Sequence, residues 1–342
     1  MNSLQSSAPP ATHNEIRLVA HAEGTLTTEH FDLTESPVPE PGPDQVLVRN
    51  RTMAVSTAMR TRATTTELPV STYVPGEPLW GPAIGEVVIA PADTDLAVGD
   101  LVRHSHGWRE YAVVDTARAR WLDPNVLPEP ATFLSRGATA WAALTRTVGI
   151  RPGETVFVTG AAGGVGSMAG QIARLLGAGR VIGSTGSDGK GRYLREKLGH
   201  DGVVSRSAGN FEQQLRRAAP EGVDVVFDTV GGEQLRAAIT TARSGARVVL
   251  VGALSGQLGG DGLSSPVELD SSVLITRRIT VHGFSLVDHP DAEEEWNHRF
   301  GTGLRDGTLI FPHTRLHGLD RAPGALCELA EGRHTGTVLV DL

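Results

Sequence analysis

The sequence predicts an α/β protein in which a doubly wound parallel sheet is joined to a second, mainly β domain. Short apolar strands alternate with helical apolar stripes from about residue 132 to residue 304, which is the pattern of a parallel sheet covered on both faces. Short strands and turns without helices fill the chain before that point. A chain of 342 residues is also too long for one ordinary core and predicts two domains.

The first part of the chain is polar and then strand-rich. Residues 1–14 are polar, contain two prolines and lack a basic segment followed by an apolar one, so they predict a disordered leader and not a signal peptide. Strands are predicted at 46–48, 84–89 and 111–114, separated by turns. After Pro130 the pattern changes from short strands to helical spacing, and residues 136–148 are predicted to be a helix. The predicted first domain therefore runs from 15 to 131.

The second part alternates strand and helix. Residues 155–159 form a β-branched run that ends in glycines, and an apolar stripe at helical spacing begins directly afterwards. The remaining elements are predicted as strands at 180–185, 203–204, 223–228, 247–252 and 279–284 and helices at 191–198, 211–218, 234–241 and 294–303.

Two stretches of the second half carry separate predictions. The Gly- and Ser-rich segment 253–278 is predicted as a long loop, either a cover over a substrate or an insertion without a role. The last part, 305–342, contains a helix near 322–330 and a closing strand, and it is assigned to the first domain because chain ends often pack back on their own domain.

Composition excludes several classes of protein. The formal net charge of −8 argues against a general nucleic-acid surface, and no apolar run reaches the roughly 20 residues that a membrane helix needs. Cys327 is the only cysteine, which excludes an internal disulfide and a zinc site built from several thiolates. A small-molecule substrate and a cytoplasmic location are the expectations that remain.

The glycine run after the first strand of the second part predicts a diphosphate site. Gly163 and Gly166 lack a Cβ, so the chain can turn sharply and bring backbone N–H groups against a pyrophosphate at the positive end of the helix. Ala161 stands where the usual G-x-G-x-x-G has its first glycine, and Gly160 is a candidate to share the turn. The alternative is a glycine turn that merely links strand to helix.

The segment after the second strand favours NADPH over NADH. An NAD site usually has an acidic residue at the end of this strand, and 183–185 contains none. Asp188 lies near the distance from the glycines at which NAD sites place this acid. Ser187 or Asp188 is nevertheless better interpreted as the cap of the next helix. Lys190 and Tyr193 then offer a cation and a hydroxyl to a 2′-phosphate, unless they are ordinary residues of the helix surface.

Eight motifs together resemble one known family: YVPGEPLWG at 73–81, GATAW at 137–141, TGAAGGVGS at 159–167, GSDGK at 186–190, FDTVGG at 227–232, VGALS at 251–255, HGF at 282–284 and TGT at 335–337. From Ile16 onward the chain resembles the zinc-independent branch of the medium-chain dehydrogenase/reductase superfamily, in particular the prostaglandin, curcumin and plant alkenal double-bond reductases. The resemblance implies a GroES-like substrate domain (15–131 and 305–342) and a Rossmann domain (132–304). It also implies NADPH, reduction of a C=C bond conjugated to a carbonyl, and a homodimer that pairs through the Rossmann domain.

The resemblance also implies which residues hold the cofactor. The expected pyrophosphate contacts are Gly163, Val165 and Gly166, the expected 2′-phosphate contacts are Ser187, Lys190 and Tyr193, and the motifs further along add Gly252 and Phe284.

No metal is expected. Zinc-dependent relatives use a cysteine and a Gly-His-Glu in the first domain, whereas this chain has no cysteine there and has GPAIGE at 81–86. His104 and His106 form an H-x-H, but two histidines in a turn without a third ligand are more often solvated than metal-bound.

The catalytic groups usual in relatives are replaced. Ala58 stands where relatives have a tyrosine near the substrate carbonyl, and Pro290 stands where plant relatives have another. Two groups are candidates to donate a proton instead. Tyr73 matches a pocket tyrosine of plant enzymes, with a packed core aromatic as the alternative. His289 belongs to a residue type that ordinarily titrates near neutrality, with a plain loop histidine as the alternative. The large aromatics Trp80, Trp141 and Phe284 are candidate pocket walls.

The expected function is therefore NADPH-dependent reduction of an α,β-unsaturated carbonyl compound by hydride transfer to the β-carbon and protonation of the enolate. Two alternatives stay open. One is quinone reduction on the same scaffold, and the other is a catalytically weak protein that keeps NADPH as a structural or sensing ligand.

Overall fold

The computed structural model describes residues 8–64, 71–259 and 264–342. Most of the leader, 1–7, and the centre of the 253–278 segment, 260–263, lie outside the described residues. The chain divides into two compact units, of which unit 1 comprises 1–134, 314–331 and 338–342. Unit 2 comprises 135–313 and 332–337.

The first stretch of the chain is almost entirely β. Its elements are β1 (Thr12–Leu18), β2 (Phe31–Pro37), β3 (Gln45–Val55), α1 (Thr57–Thr64), β4 (Ala83–Ile89), β5 (Leu101–His104), β6 (Tyr111–Asp115) and β7 (Arg120–Trp121). β1 begins at Thr12, so residues 12–14 of the predicted leader belong to a strand that pairs with β2.

The middle stretch alternates helix and strand. Its elements are α2 (Gly137–Ala142), β8 (Thr155–Val158), α3 (Gly166–Leu175), β9 (Arg180–Thr185), α4 (Asp188–Glu196), β10 (Gly202–Ser205), α5 (Phe211–Ala218), β11 (Val223–Asp228), α6 (Gly232–Thr241), β12 (Ala242–Leu250), α7 (Leu254–Gly259), α8 (Ser271–Arg277), β13 (Thr280–Gly283) and α9 (Ala292–Asp306). The turn of helix after α2, Ala143–Val148, is a π-helix. The chain ends with β14 (His313–His317), α10 (Ala322–Ala330) and β15 (Thr337–Asp341).

Unit 1 is built around an antiparallel sheet. Its strand order is β14-β15-β3-β4-β5-β7, with β6 paired to β3, and β1 and β2 form a separate hairpin. Met53, Trp108 and Val340 belong to a buried apolar cluster between these strands and α10. The last strand therefore closes the domain in which the first strands lie, because β15 pairs with β3 over Val338 to Asp341.

Unit 2 is a doubly wound parallel sheet with the strand order β10-β9-β8-β11-β12-β13. The order changes direction at β8, which pairs with β9 on one side and β11 on the other. Phe157, Val226 and Val248 are fully buried, as expected for strands with helices on both faces. The predicted α/β class, with a Rossmann sheet and a mainly β domain, is therefore confirmed.

The prediction of a plain loop over 253–278 is wrong for most of its described residues. α7 and α8 lie within it, and the Asp270 side chain caps α8 by accepting a hydrogen bond from the backbone N–H of Ser272 at 2.8 Å. Val273 and Leu274 pack against the core of unit 2. The Gly- and Ser-rich composition hid a short apolar helix, because its stripe is too brief to show a period.

Helices that could cross a bilayer are missing from the described part of the chain, where none combines the required length and apolar character.

Candidate cofactor site and family

The turn from β8 to α3 is built so tightly that glycine is required twice. Gly160 has a φ of 59°, and the backbone N–H of Gly163 donates to its carbonyl oxygen at 2.9 Å. A Cβ on Gly166 would lie 2.3 Å from the same oxygen, closer than any real contact. Ala161, at the usual first-glycine position, is buried, and Gly160 takes the left-handed conformation in its place.

The end of this turn leaves backbone donors without partners. Within the described residues, the N–H groups of Gly164, Val165 and Gly166 donate no hydrogen bond. They precede or begin α3, so they lie at the positive end of the helix. A diphosphate supplies the acceptors and the negative charge that such a turn lacks, so these residues fit a dinucleotide.

A buried polar network holds the turn from behind. The Thr159 hydroxyl donates to Asp228 Oδ1 at 2.7 Å and accepts from the Thr229 N–H at 2.8 Å. The Gly231 N–H donates to Asp228 Oδ2 at 2.8 Å, and burial raises the pKa of this carboxyl. This network was not predicted from the sequence, although polar residues at the ends of two neighbouring parallel strands are a usable signal.

The end of β9 presents hydroxyl groups and no carboxylate. Ser184 accepts a hydrogen bond from the Gly160 N–H at 3.0 Å and donates to the side chain of Gln234 at 2.6 Å. Ser187 is the N-cap of α4, because its hydroxyl accepts from the Lys190 N–H at 3.4 Å. The predicted cap is therefore confirmed at Ser187, and Asp188 is the first residue of the helix.

Two cations lie together beside this cap. Lys190 Nζ donates to the Gly332 carbonyl at 2.6 Å, and its pKa is lowered by burial and, less strongly, by the nearby charge of Arg206. Arg206 Nη2 lies 3.1 Å from the position that a Cβ on Gly186 would occupy. The Arg206 guanidinium forms no hydrogen bond or ion pair with the rest of the described chain, so two neighbouring positive charges have no carboxylate between them.

Sequence reasoning missed Arg206 and chose Tyr193 as the neighbour of Lys190. Tyr193 is half-buried in α4, and burial raises the pKa of its hydroxyl. Arg206 follows β10, which pairs with β9, so the carboxyl ends of the two strands bring it to the same edge. The sequence signal that could have identified Arg206 is its position directly after β10, the parallel neighbour of β9.

The segment 332–337 lies against both parts of this site. The Gly336 N–H donates to the Ala162 carbonyl at 2.8 Å, and Gly336 forms an isolated bridge with Gly163. Gly332 holds Lys190 at the other end of the segment. This short stretch, far along the chain, therefore fixes the glycine turn and the cation pair at once.

The predicted residues further along the sheet lie after β12 and β13. The Gly252 N–H donates to the Asp228 carbonyl at 3.3 Å, and a Cβ there would lie 3.0 Å from a backbone oxygen. The Phe284 N–H donates to the Leu250 carbonyl at 3.0 Å, and its ring stacks on His289 with centroids 5.4 Å apart. His289 is half-buried on this aromatic support.

Tyr73 lies in the core of unit 1. It is 2% exposed, and its hydroxyl donates to the backbone carbonyl of Trp80 at 2.8 Å. Burial raises the pKa of this hydroxyl. The half-buried Trp80 ring meets Tyr73 edge-on, and Arg62 lies over its face at 4.8 Å. As placed, the Tyr73 hydroxyl already has an acceptor, which matches the packed-aromatic alternative more closely than the proton-donor prediction.

Trp141 does not line a pocket. It is 3% exposed and packs on Trp296 at 5.9 Å inside unit 2, which corrects its assignment as a pocket wall.

The two histidines of the H-x-H motif stack on each other. Their ring centroids are 6.1 Å apart, and the His106 N–H donates to His104 Nδ1 at 3.1 Å. Burial lowers the pKa of His104 to about 3. The described residues contain no group of three or more His, Cys, Asp or Glu side chains arranged to hold a metal ion.

Comparison with known proteins agrees with this geometry. Residues 164–300 match the family model "Zinc-binding dehydrogenase", and residues 14–122 match "N-terminal domain of oxidoreductase". The Bacillus subtilis (strain 168) protein YfmJ, whose name gives NADP-dependent oxidoreductase as a provisional assignment, is 33% identical over 97% of this chain and 98% of its own length. The 2-alkenal reductase (NADP(+)-dependent) of Nicotiana tabacum is 30% identical over 89% of this chain and 88% of its own length.

A solved structure is similar over nearly the whole chain. CurA from Vibrio vulnificus, crystallised with NADPH, superimposes with a TM-score of 0.87 at 28% identity and covers 96% of this chain and 98% of its own. These relatives and the fit of the turn make NADPH the cofactor of this protein, an NADP-dependent oxidoreductase. The chain belongs to the medium-chain dehydrogenase/reductase superfamily, in the group that includes the alkenal, curcumin and prostaglandin reductases.

Proposed function

We propose that this chain reduces the C=C bond of an α,β-unsaturated carbonyl compound. NADPH supplies a hydride to the β-carbon of the substrate, and a proton then adds to the α-carbon of the enolate, so that the double bond becomes a single bond. The observation that carries the choice of NADPH as the hydride donor is the pair of cations, Lys190 and Arg206, beside a strand end without an acid. The similarity to the tobacco 2-alkenal reductase supports the choice of reaction.

The chain's own residues would bind and orient the nucleotide. In this proposal the N–H groups of Gly164, Val165 and Gly166 donate to the pyrophosphate. Lys190 and Arg206 neutralise the 2′-phosphate, and the Ser187 cap holds the start of α4 against it. Gly252 leaves room for the nucleotide beyond β12, where any side chain would press on Thr229.

His289 is the proposed proton donor to the substrate. Ala58 and Pro290 remove the two tyrosines usual in relatives, and the hydroxyl of Tyr73 is bonded to the Trp80 carbonyl. The half-buried His289 imidazole, stacked on Phe284, can donate an N–H to the enolate oxygen or deliver a proton.

The reaction is tested by following NADPH oxidation with separate panels of 2-alkenals, enones and quinones, with the products identified by NMR. We expect the product to be the saturated carbonyl compound. When the NADPH carries deuterium at C4, the product should carry that deuterium at its β-carbon. Turnover of quinones alone would replace the proposal with quinone reduction. Tight NADPH binding with no oxidation by any acceptor would identify a binding protein.

The proton donor is tested by comparing His289→Ala with Tyr73→Phe. His289→Ala is expected to lower kcat by about 10²-fold, the usual scale of general acid catalysis, while the Kd for NADPH stays unchanged. Tyr73→Phe should keep kcat and lose only thermal stability. The reverse pattern would assign the proton to Tyr73, and unchanged turnover in both variants would leave water or the cofactor ribose as the donor.

We further propose that the protein is a homodimer paired through unit 2. β13 is the outer strand of the parallel sheet, and all four of its residues are exposed. The neighbouring apolar side chains Ile275 and Val281 are also exposed, at 73% and 38%. An unpaired strand edge beside apolar surface is suited to a second copy of the same edge.

We also propose that the enzyme acts in the cytoplasm. Cys327 is a free thiol, which is compatible with a reducing compartment. Cell fractionation with an antibody against the protein tests this location, and recovery in a secreted fraction would contradict it.

A further inference from the structure

Unit 2 has a cavity of about 350 Å³ at the edge of its sheet opposite the glycine turn. The cavity lies where β11 and β12 begin, whereas the cofactor turn follows the end of β8, and parallel strands keep these two edges apart. Arg216, Arg243 and Arg277 line the cavity, and Glu221 is the acidic side chain of that lining. We propose that this cavity binds phosphate, either as the free ion or as the terminal group of a small phosphorylated molecule.

Two of the arginines are held in place by other groups. Arg216 donates through Nε and Nη2 to Glu212 Oε1, at 3.0 and 2.8 Å. Arg277 donates through Nη1 to the carbonyl oxygens of Thr240 and Ala242, both at 2.9 Å. These carbonyls end α6, so Arg277 also neutralises the negative end of that helix. A guanidinium that is already oriented loses little side-chain entropy when a ligand binds.

Each guanidinium keeps donors for a ligand. The bonds of Arg277 use Nη1, which leaves its Nε and Nη2 hydrogens without a partner among the described residues. Arg216 likewise keeps Nη1, and Arg243 uses only Nη1, which approaches Asp224 at 3.4 Å. Phosphate offers several acceptor oxygens, and the planar fork of arginine matches them in pairs.

The charge of the cavity differs from that of the chain. The protein has a formal net charge of −8, yet this lining has three arginines and one glutamate. The carboxylates of Glu212 and Asp224 pair with Arg216 and Arg243, whereas among the described residues the Arg277 guanidinium has neutral carbonyl partners. A cavity of this size also accommodates a small organic body on the phosphate.

The test is titration of the full chain with inorganic phosphate at constant ionic strength, with NADP⁺ at saturation so that the phosphate sites of the cofactor are filled. Isothermal calorimetry is expected to show one phosphate per chain. Arg277→Gln and Arg243→Gln should each weaken this binding by about tenfold or more, the loss expected for a charge-assisted contact. Arg118→Gln, an exposed arginine of unit 1, is the matched control and should leave the affinity unchanged.

Arg277→Gln also removes two hydrogen bonds at the end of α6, so this variant can fail to fold. Arg243 is more exposed than Arg277, and in that case Arg243→Gln decides the test. A parallel titration with glycerol 3-phosphate distinguishes the sources: tighter binding than inorganic phosphate assigns a phosphorylated molecule, and weaker binding assigns the free ion. The proposal is overturned if neither probe binds, if Arg243→Gln binds phosphate like the unaltered chain, or if Lys190→Ala alone abolishes the binding.

Discussion

In the proposed cofactor site, two single residues, Lys190 and Arg206, distinguish NADPH from NADH. Lys190 could be predicted from the sequence because it follows a helix cap, and in the structure its Nζ donates to the Gly332 carbonyl. Arg206 could not be predicted, because it lies sixteen positions after Lys190 and the pairing of β10 with β9 brings the two together. Burial lowers the pKa of Lys190, which means that the charged form of its amine is disfavoured there. A neighbouring anion would stabilise that charged form.

Replacing either cation should discriminate between the two nucleotides. Lys190→Ala and Arg206→Ala are each expected to raise the Kd for NADPH by about 10- to 100-fold, because each removes a charge-assisted contact to phosphate. The Kd for NADH should change little. Fluorescence titration with both nucleotides measures this, with Arg192→Ala on the same helix as the control. Equal losses for NADPH and NADH would remove the 2′-phosphate assignment.

At the scale of elements, the tight turn from β8 to α3 and the packing of the His200 ring on α3 both depend on absent side chains. Gly166 approaches the Gly160 carbonyl, and Gly170 allows the His200 ring to lie against α3, where a Cβ would be 2.5 Å from that ring. His200 is 4% exposed, and burial lowers its pKa to about 4. Neither contact could be predicted from the chain, since helical spacing does not reveal what crosses a helix.

Gly166→Ala tests the turn. The added Cβ would overlap the backbone of Gly160 and Ala161, which cannot move as a flexible side chain would, so we expect about 1–3 kcal/mol of lost stability and the loss of NADPH binding. Gly324→Ala is the matched control. A Cβ at Gly324 in α10 meets nothing within 4 Å, so this variant should be as stable as the parent or more stable by about 0.5–1 kcal/mol. Urea unfolding and a nucleotide titration measure both variants. NADPH binding that survives in Gly166→Ala would contradict the turn geometry.

His200 predicts a pH dependence of stability. Its folded pKa of about 4 lies below the ordinary value of 6.5, so between these limits the unfolded chain binds the extra proton. Stability contributed by the neutral ring is therefore present above about pH 6.5 and decreases as the pH falls to about 4, by up to about 3 kcal/mol. Urea unfolding between pH 7 and pH 4 should show this slope, and His200→Gln should reduce it. His298→Gln, at an exposed position of α9, should leave the slope as it is. An identical slope in His200→Gln would refute the assignment.

The whole molecule is organised by which strand edges are paired and which stay open. In unit 1, β15 returns from the end of the chain to pair with β3. The predicted assignment of 305–342 to the first domain differs from the division into units, in which 314–331 and 338–342 belong to unit 1 and 305–313 and 332–337 belong to unit 2. In unit 2, β13 pairs with β12 and has no strand on its other side among the residues that the structure describes. The proposed homodimer would cover that open edge.

The dimer is tested by Val281→Lys. A charge in the middle of β13 should oppose pairing of two equal edges and convert a species of twice 36.1 kDa into a monomer in analytical ultracentrifugation. Val98→Lys, at another exposed valine in unit 1, is the control and should stay dimeric. A monomeric parent chain, or a dimer that survives Val281→Lys, would reject this interface.

Some features of the protein follow from the sequence by itself. The alternation of strands and helices, the glycine turn, the Ser187 cap and the family motifs are all local in the chain, and they suffice for the two-domain α/β fold and for NADPH. Periodicity and turn chemistry act between neighbouring residues, so they can be recognised without coordinates.

Only the tertiary structure decided what lies beside what. It joined Arg206 to Lys190, bonded the Tyr73 hydroxyl to Trp80, put two short helices into the segment 253–278 and brought Gly332 back to the cofactor site. Each of these depends on contacts between residues distant in the chain, and such contacts are set by sheet order and by packing, which leave no periodic mark on the sequence.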